Sequence, residues 1–287
     1  MKKCLTGLFL SLICVAGSAQ MGTLIKGKAF NDPIALTTRL ILPEKPLKEK
    51  PPVLIIVHGS GKNGNWTSYQ PMVRCFNNQG IAVVFFDKRG TGESGGEYLD
   101  VSIENSREVF DIMSDDVTTV AAWAQQQARI DTTRIGVLGF SEGGWVAPLA
   151  AGKSPIIKYS IMISGPMCSV GQEFLYSELI EDTKADPHMP MDSIYERMLA
   201  LTETGFDPYP YVADMETPSL WLFGEKDESM AVHLSQNRLR TMQEKNLGKP
   251  LQYKMYTNAN HSLYDVDTKE RIPYGEDVRQ WILKELY

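Results

Sequence analysis

Apolar residues in this chain cluster in short runs separated by longer amphipathic segments. Val53 to Val57, Ile81 to Phe86, Ile135 to Leu138, Ser160 to Ser164 and Leu220 to Phe223 are of strand length and mostly apolar throughout. Strands apolar on both faces must be covered on both, which predicts a parallel sheet with helices above and below it. Between the second and third runs, Phe110, Met113, Val117, Val120 and Ala124 recur at helical spacing, so that helix should pack on the sheet. Thr23 to Phe30 and Ile34 to Leu42 read as two strands joined by the turn Asn31-Asp32-Pro33, an antiparallel edge. Leu251 to Tyr256 alternates and reads as a final strand. Pro43 to Pro52 is a stiff, charged connector, and no internal repeat is evident.

The stretch from about Pro166 to Pro218 interrupts this alternation. Phe174, Leu175, Leu179 and Ile180 predict one amphipathic helix; Asp192 as N-cap, Ile194, Met198, Leu201 and Gly205 past the end predict a second. An insertion placed between two sheet strands is expected to form a lid. Between Gly171 and Thr217 it carries eleven Asp or Glu against Lys184 and Arg197, a net of −9. Met167, Phe174, Tyr176, Met189, Met191 and Tyr195 form an apolar set that suits an acyl chain or aromatic group, or else the lid's own core.

Composition adds a destination and excludes some partners. Lys2 and Lys3, the apolar stretch Leu5 to Val15 and the small residues Gly17-Ser18-Ala19 have the form of a cleavable signal, so residues 1–19 are expected to leave and 20–287 to form the domain. The apolar run falls short of the ~20 residues a membrane span requires. The expected location is therefore periplasmic or secreted, with no stable membrane anchor. Two of the four cysteines leave with the signal; Cys75 and Cys168 read as buried thiols. A formal net charge of −6 argues against a nucleic-acid partner held by phosphate contacts.

The chemistry is concentrated where the third central run, Ile135 to Leu138, passes into Gly139-Phe140-Ser141-Glu142-Gly143. A serine hydroxyl is a poor nucleophile at neutral pH. It becomes useful on a sharp strand-to-helix turn, within reach of a base and an oxyanion hole. A side chain at Gly139 or Gly143 would crowd such a turn. If Ser141 is the nucleophile of an α/β-hydrolase, which such an elbow resembles, the acid and then the histidine must follow it in the chain. The four histidines allow elimination: His58 precedes the serine, His188 sits in the expected lid, and His233 lies on a predicted helix close behind the acid candidates. His261, in the loop after the final strand, is left as the base. Leu220-Trp221-Leu222-Phe223-Gly224-Glu225-Lys226-Asp227 offers a strand ending in a tight turn, with Asp227 preferred over Glu225 as the acid. The oxyanion hole is expected to use the backbone N–H of Glu142 and that of Ser60, in the loop His58-Gly59-Ser60-Gly61.

Asp87-Lys88-Arg89-Gly90-Thr91-Gly92-Glu93-Ser94 resembles the Asp-x-Arg-Gly-x-Gly-x-Ser turn of many α/β-hydrolases. With the elbow, Ala147-Pro148 and Ser164-Gly165-Pro166, the chain from about Leu24 to Leu283 resembles bacterial carboxylesterases of the serine-aminopeptidase-like branch. The resemblance implies an α/β-hydrolase fold with a short helical lid. It also implies a serine esterase that needs no metal or organic cofactor and acts on a small-molecule ester through an acyl-enzyme. Cleavage of N-terminal residues from short peptides is the alternative, since an acidic lid suits an ammonium group; polyanionic thioesters are disfavoured. The loop departs from its relatives at Lys62-Asn63-Gly64-Asn65, a difference that bears on substrate choice.

Overall fold

A computed structural model describes residues 22–62, 66–185, 191–202, 204–247 and 250–287. The expected signal at 1–19, His188, Met189 and Asn63-Gly64-Asn65 lie outside them. The strands are β1 (Leu24–Asn31), β2 (Ile34–Ile41), β3 (Val53–Val57), β4 (Ala82–Phe86), β5 (Ile135–Phe140), β6 (Ile157–Ile163), β7 (Ser219–Gly224) and β8 (Leu251–Tyr256). Among the described residues they form one eight-stranded sheet in the order β1-β2-β4-β3-β5-β6-β7-β8. β1 with β2 and β2 with β4 are antiparallel, and the remaining pairs are parallel. This is the predicted α/β-hydrolase architecture with its antiparallel edge.

The continuous apolar runs work as two-faced strands. Val53, Ile55 and Val57 of β3 join one core, with α2 (Ser106–Gln125) and α3 (Gly143–Lys153), while Leu54 and Ile56 join the other, with α1 (Trp66–Asn77) and α8 (Tyr274–Leu286). Successive strand side chains point to opposite faces, so both faces of a central strand can be buried at once. On α2 the residues at helical spacing, Phe110, Met113, Val117, Val120 and Ala124, are all buried as expected. After β3 the chain moves to β4 on one side, and β5 lies on the other. Loops leaving β3 and β5 therefore part at the carboxyl end of the sheet, where open α/β sheets form their ligand crevice.

Between β6 and β7 lie α4 (Val170–Ala185), α5 (Met191–Leu199) and α6 (Tyr209–Ala213), and β7 is followed by α7 (Val232–Glu244). Tyr176, Leu179, Ile194 and Met198 pack with Leu234 of α7 into a small core of their own. Phe174 and Met191 instead face outward, each 41% exposed. Asp192 is the second residue of α5 and not its expected N-cap, and there a carboxylate still meets the positive end of the helix dipole. The short α6 is not anticipated by the pattern: five residues starting after Pro208 show no period. Among the described residues no helix is long and apolar enough to cross a membrane.

Candidate active site

Ser141 stands between the end of β5 and the start of α3 with φ at +53°, in the left-handed region. For a residue with a side chain this costs ~1–3 kcal/mol and persists only where its surroundings enforce it. Here Ser141 N donates to Ile163 O at 3.1 Å and Gly144 N donates to Ser141 O at 2.7 Å. A Cβ on Gly139 would stand 2.2 Å from Gly143 O, and one on Gly143 would stand 2.2 Å from Val57 O. The glycines flanking the serine are thus required by backbone contact.

His261 lies in the turn after β8, and its Nδ1 meets Asp227 Oδ2 at 2.8 Å. Asp227 sits in the turn after β7; its side chain is fully buried, and its other oxygen accepts Ser229 N at 2.8 Å and Met230 N at 3.1 Å. An ionised carboxylate only accepts hydrogen bonds, so the imidazole carries its proton on Nδ1 and leaves Nε2 as the basic nitrogen. His261 is anchored through its backbone as well: Ser164 Oγ donates to His261 O at 2.7 Å. The ring of Phe140, the residue before Ser141, packs 5.2 Å from the imidazole centroid. Glu225, the rival acid, donates its backbone N–H to Tyr256 O and lines a cavity with Asp227 and His233. His233 itself is exposed on α7, with its ring against Tyr195.

The loop after β3 lies close to the nucleophile, since a Cβ built on Gly59 would stand 3.2 Å from Ser141 Cβ. Its orientation is fixed from the protein side. Gly59 O accepts Lys88 Nζ at 2.9 Å and His58 Nδ1 at 3.0 Å, and His58 Nε2 accepts Lys88 N at 3.3 Å. Burial, with the Lys88 charge nearby, lowers the His58 pKa to about 3, so the ring is neutral and serves as a spacer. In a trans peptide the carbonyl and the following N–H point opposite ways. With Gly59 O turned into the Lys88–His58 cluster, Ser60 N–H is turned out of it. The neighbouring amides of Gly59 and Gly61 donate instead to the hydroxyls of Tyr69 at 2.9 Å and Tyr98 at 2.7 Å.

Lys88 also forms a buried ion pair with the side chain of Glu142 at 2.7 Å. Glu142 follows Ser141, and its N–H lies at the start of α3, where helix amides have no acceptor within the helix. One ion pair therefore ties together the two expected oxyanion donors. The sequence offers no sign of this pair, because its members are 54 residues apart and charged. A second unanticipated group is Glu173 of α4, buried so that its pKa rises to about 7. It accepts Ala231 N and the Cys168 thiol, both at 3.2 Å, and so connects the β6–β7 segment to the turn carrying Asp227.

Two cavities lie near the Asp227–His261 pair: Asp227 lines one, and Phe140 and Ser262, neighbours of His261, line the other. One, of about 310 Å³, is bounded by Tyr176, Met191, Glu225, Asp227, Glu228 and His233. The other, of about 340 Å³, is bounded by Tyr69, Met72, Phe140, Ser262, Tyr264 and Arg271.

A serine on a strained elbow and a carboxylate-held histidine at the same end of a sheet of this order define an α/β-hydrolase of the serine hydrolase class. Residues 67–286 match the prolyl oligopeptidase family, and the chain belongs to that family. The rat acylamino-acid-releasing enzyme is 20% identical over 226 residues, covering 78% of this chain and 30% of that protein. The chain spans less than half the length of the curated relatives it matches. Among solved structures, the esterase Pf2001 of Pyrococcus furiosus superposes with a TM-score of 0.65 at 18% identity, covering 93% of this chain and 92% of that one. Est1E from Butyrivibrio proteoclasticus, solved with ferulic acid bound, gives 0.59 at 19% identity, covering 91% and 99%. Similarity at this level carries the fold.

Proposed function

We propose that the protein is a carboxylic ester hydrolase in which Ser141 is the nucleophile, His261 the base and Asp227 the acid. The observation that carries this reading is the 2.8 Å contact of His261 Nδ1 with a fully buried Asp227 carboxylate, at the sheet end that presents Ser141. In the proposed cycle Ser141 Oγ attacks the ester carbon while its proton passes to His261 Nε2. The resulting oxyanion is held by the N–H groups of Ser60 and Glu142, whose directions the Lys88 network fixes. Collapse expels the alcohol with the proton from His261 and leaves Ser141 acylated. Water then attacks the acyl carbon, gives its proton to His261, and the acid leaves as Ser141 recovers its hydrogen. Asp227 keeps its charge throughout and stabilises the imidazolium.

Esterases among the structural neighbours support the ester reading. A peptidase reading is favoured by the family and by the acylamino-acid-releasing relatives. The deciding experiment is a panel of 4-nitrophenyl esters of increasing acyl length beside aminoacyl and acylaminoacyl anilides. Ester turnover that exceeds anilide turnover and vanishes in Ser141→Ala supports the reading; the reverse preference replaces it with peptidase action. The segment 166–218 is proposed as the cover of this site. Export is proposed from residues 1–19, and the mass of the N-terminal peptide of the protein recovered from outside the cytoplasm tests it.

A further inference from the structure

We propose that the cavity on the Phe140 side of His261 is a subsite for a carboxylate carried by the substrate, with Arg271 as its counter-ion; this rests on the esterase reading above. One wall of this cavity comes from α1, and the others neighbour the proposed reaction centre. Phe140 precedes the nucleophile, Ser262 follows the base, and the Tyr69 hydroxyl accepts Gly59 N from the loop beside Ser141. A group bound here would lie beside the chain neighbours of Ser141 and His261.

Arg271 is built into the turn that carries the base. It forms a β-bridge with Tyr264, Ile272 N donates to Leu263 O at 2.9 Å, and Asn260 N donates to Tyr264 O at 2.9 Å. Its guanidinium donates through Nη1 to the Tyr274 hydroxyl at 2.8 Å and through Nη2 to the Tyr264 hydroxyl, and it lies 4.6 Å from the Tyr264 ring centroid. These partners are neutral. The groups that act on its charge are the phenols of Tyr274 and Tyr264 and the Cys75 thiol, and among the described residues none of its recorded partners is a carboxylate. Arg39, Arg89, Arg134 and Arg238, by contrast, each meet one.

A half-buried cation without an anionic partner leaves its charge for a ligand to neutralise. A guanidinium has more donors than these two bonds use, and its planar fork matches the two oxygens of a carboxylate. Phe140, Tyr69 and Tyr264 supply flat apolar walls for the body that carries the acid. The substrate class indicated is an ester with a free carboxylate on a short aryl or alkyl body. The position of that carboxylate, on the alcohol or on the acyl part, is an arm of the test.

The test compares kcat/KM within two matched pairs. On the alcohol side the pair is 4-acetoxybenzoate and 4-acetoxybenzamide; on the acyl side it is the 4-nitrophenyl monoester of adipic acid and that of its monoamide. In the wild-type protein the acid of at least one pair is expected to exceed its amide about tenfold, the size of a charge-assisted hydrogen bond. That advantage should shrink as salt rises. Arg271→Gln should bring the acid-to-amide ratio down to about one, whatever its effect on overall turnover, and Arg271→Lys should keep part of the advantage; far-UV circular dichroism reports the fold of each variant. An amide as good as its acid in both wild-type pairs, or an unchanged ratio in Arg271→Gln, overturns the proposal. If Arg271→Gln does not fold, the wild-type ratio and its salt response decide. Failure of the wild type to turn over all four esters would overturn the esterase reading itself, and the subsite with it.

Discussion

The two cavities beside the Asp227–His261 pair are nearly equal in size and opposite in chemistry. One carries Arg271 among tyrosines and Phe140; the other carries Glu225, Asp227 and Glu228 against Lys226, with His233, Tyr176 and Met191 beside them. The first is built from α1, the end of β5 and the turn that holds His261. The second is closed by α4 and α5, which have a small core of their own. Asp227 lines the second cavity alone, while Phe140 and Ser262 bring the first to the neighbourhood of His261, so the electrostatics of the two can differ.

Substitutions in the pair itself should break both sides together. His261→Ala is expected to reduce ester turnover by up to ~10⁶, as for other histidines that act with a serine nucleophile. His233→Ala, on the acidic side, should be near neutral. Neutral and charged esters must lose alike in His261→Ala; a loss confined to one charge type would mean that the two cavities use different bases.

Asp227→Asn should slow turnover by up to ~10⁴, because the amide no longer fixes the Nδ1–H tautomer. Glu225→Gln should change a neutral ester little. Steady-state kinetics of the two variants sharpen the comparison, and a reversed order would move the acid into the Glu225 cavity.

Lys88→Met should cost ~10²–10³ in kcat, the usual effect of losing an oxyanion donor, since Gly59 O loses the partner that turns Ser60 N–H outward. It also leaves Glu142 buried without its cation, which costs about 3–5 kcal/mol of stability. Glu142→Gln keeps an oxygen for Lys88 Nζ and should lose less by both measures. Urea unfolding beside kinetics on the same preparations separates the two effects.

The smallest effect is read in the pH dependence of folding. The folded His58 pKa of about 3 lies below the ordinary 6.5, so between these values the unfolded chain binds the proton and the folded one does not. Its contribution is therefore present above pH 6.5 and is lost as pH falls toward 3. From pH 7 to pH 5 this site should remove on the order of 2 kcal/mol of stability. Urea unfolding at the two pH values should show a correspondingly shallower loss in His58→Gln, and equal losses would show that the ring is not held neutral.

The sheet was legible because its central strands are apolar on both faces. β6 is longer than the Ser160 to Ser164 run predicts: it starts at Ile157, and its exposed Lys158 breaks the apolar pattern. Ser141, Asp227 and His261 were legible because chain order and the ends of strands restrict where such residues can be. The Lys88–Glu142 pair, Glu173 and Arg271 were not. Each is a charged residue that reads as surface, and each is drawn in by a contact distant in sequence or by a turn with no periodic signature. The elbow glycines lie between these cases, since the motif names them while their need comes from Val57 O and Gly143 O.

The central claim is that Ser141 is the acyl-accepting nucleophile, and active-site labelling tests it most directly. The protein is treated with a fluorophosphonate and digested, and the modified peptide is identified by mass spectrometry. The account predicts a single phosphonylated residue, Ser141, with labelling lost in Ser141→Ala and strongly slowed in His261→Ala. Labelling of a different serine, or undiminished labelling of the Ser141→Ala protein, would contradict it.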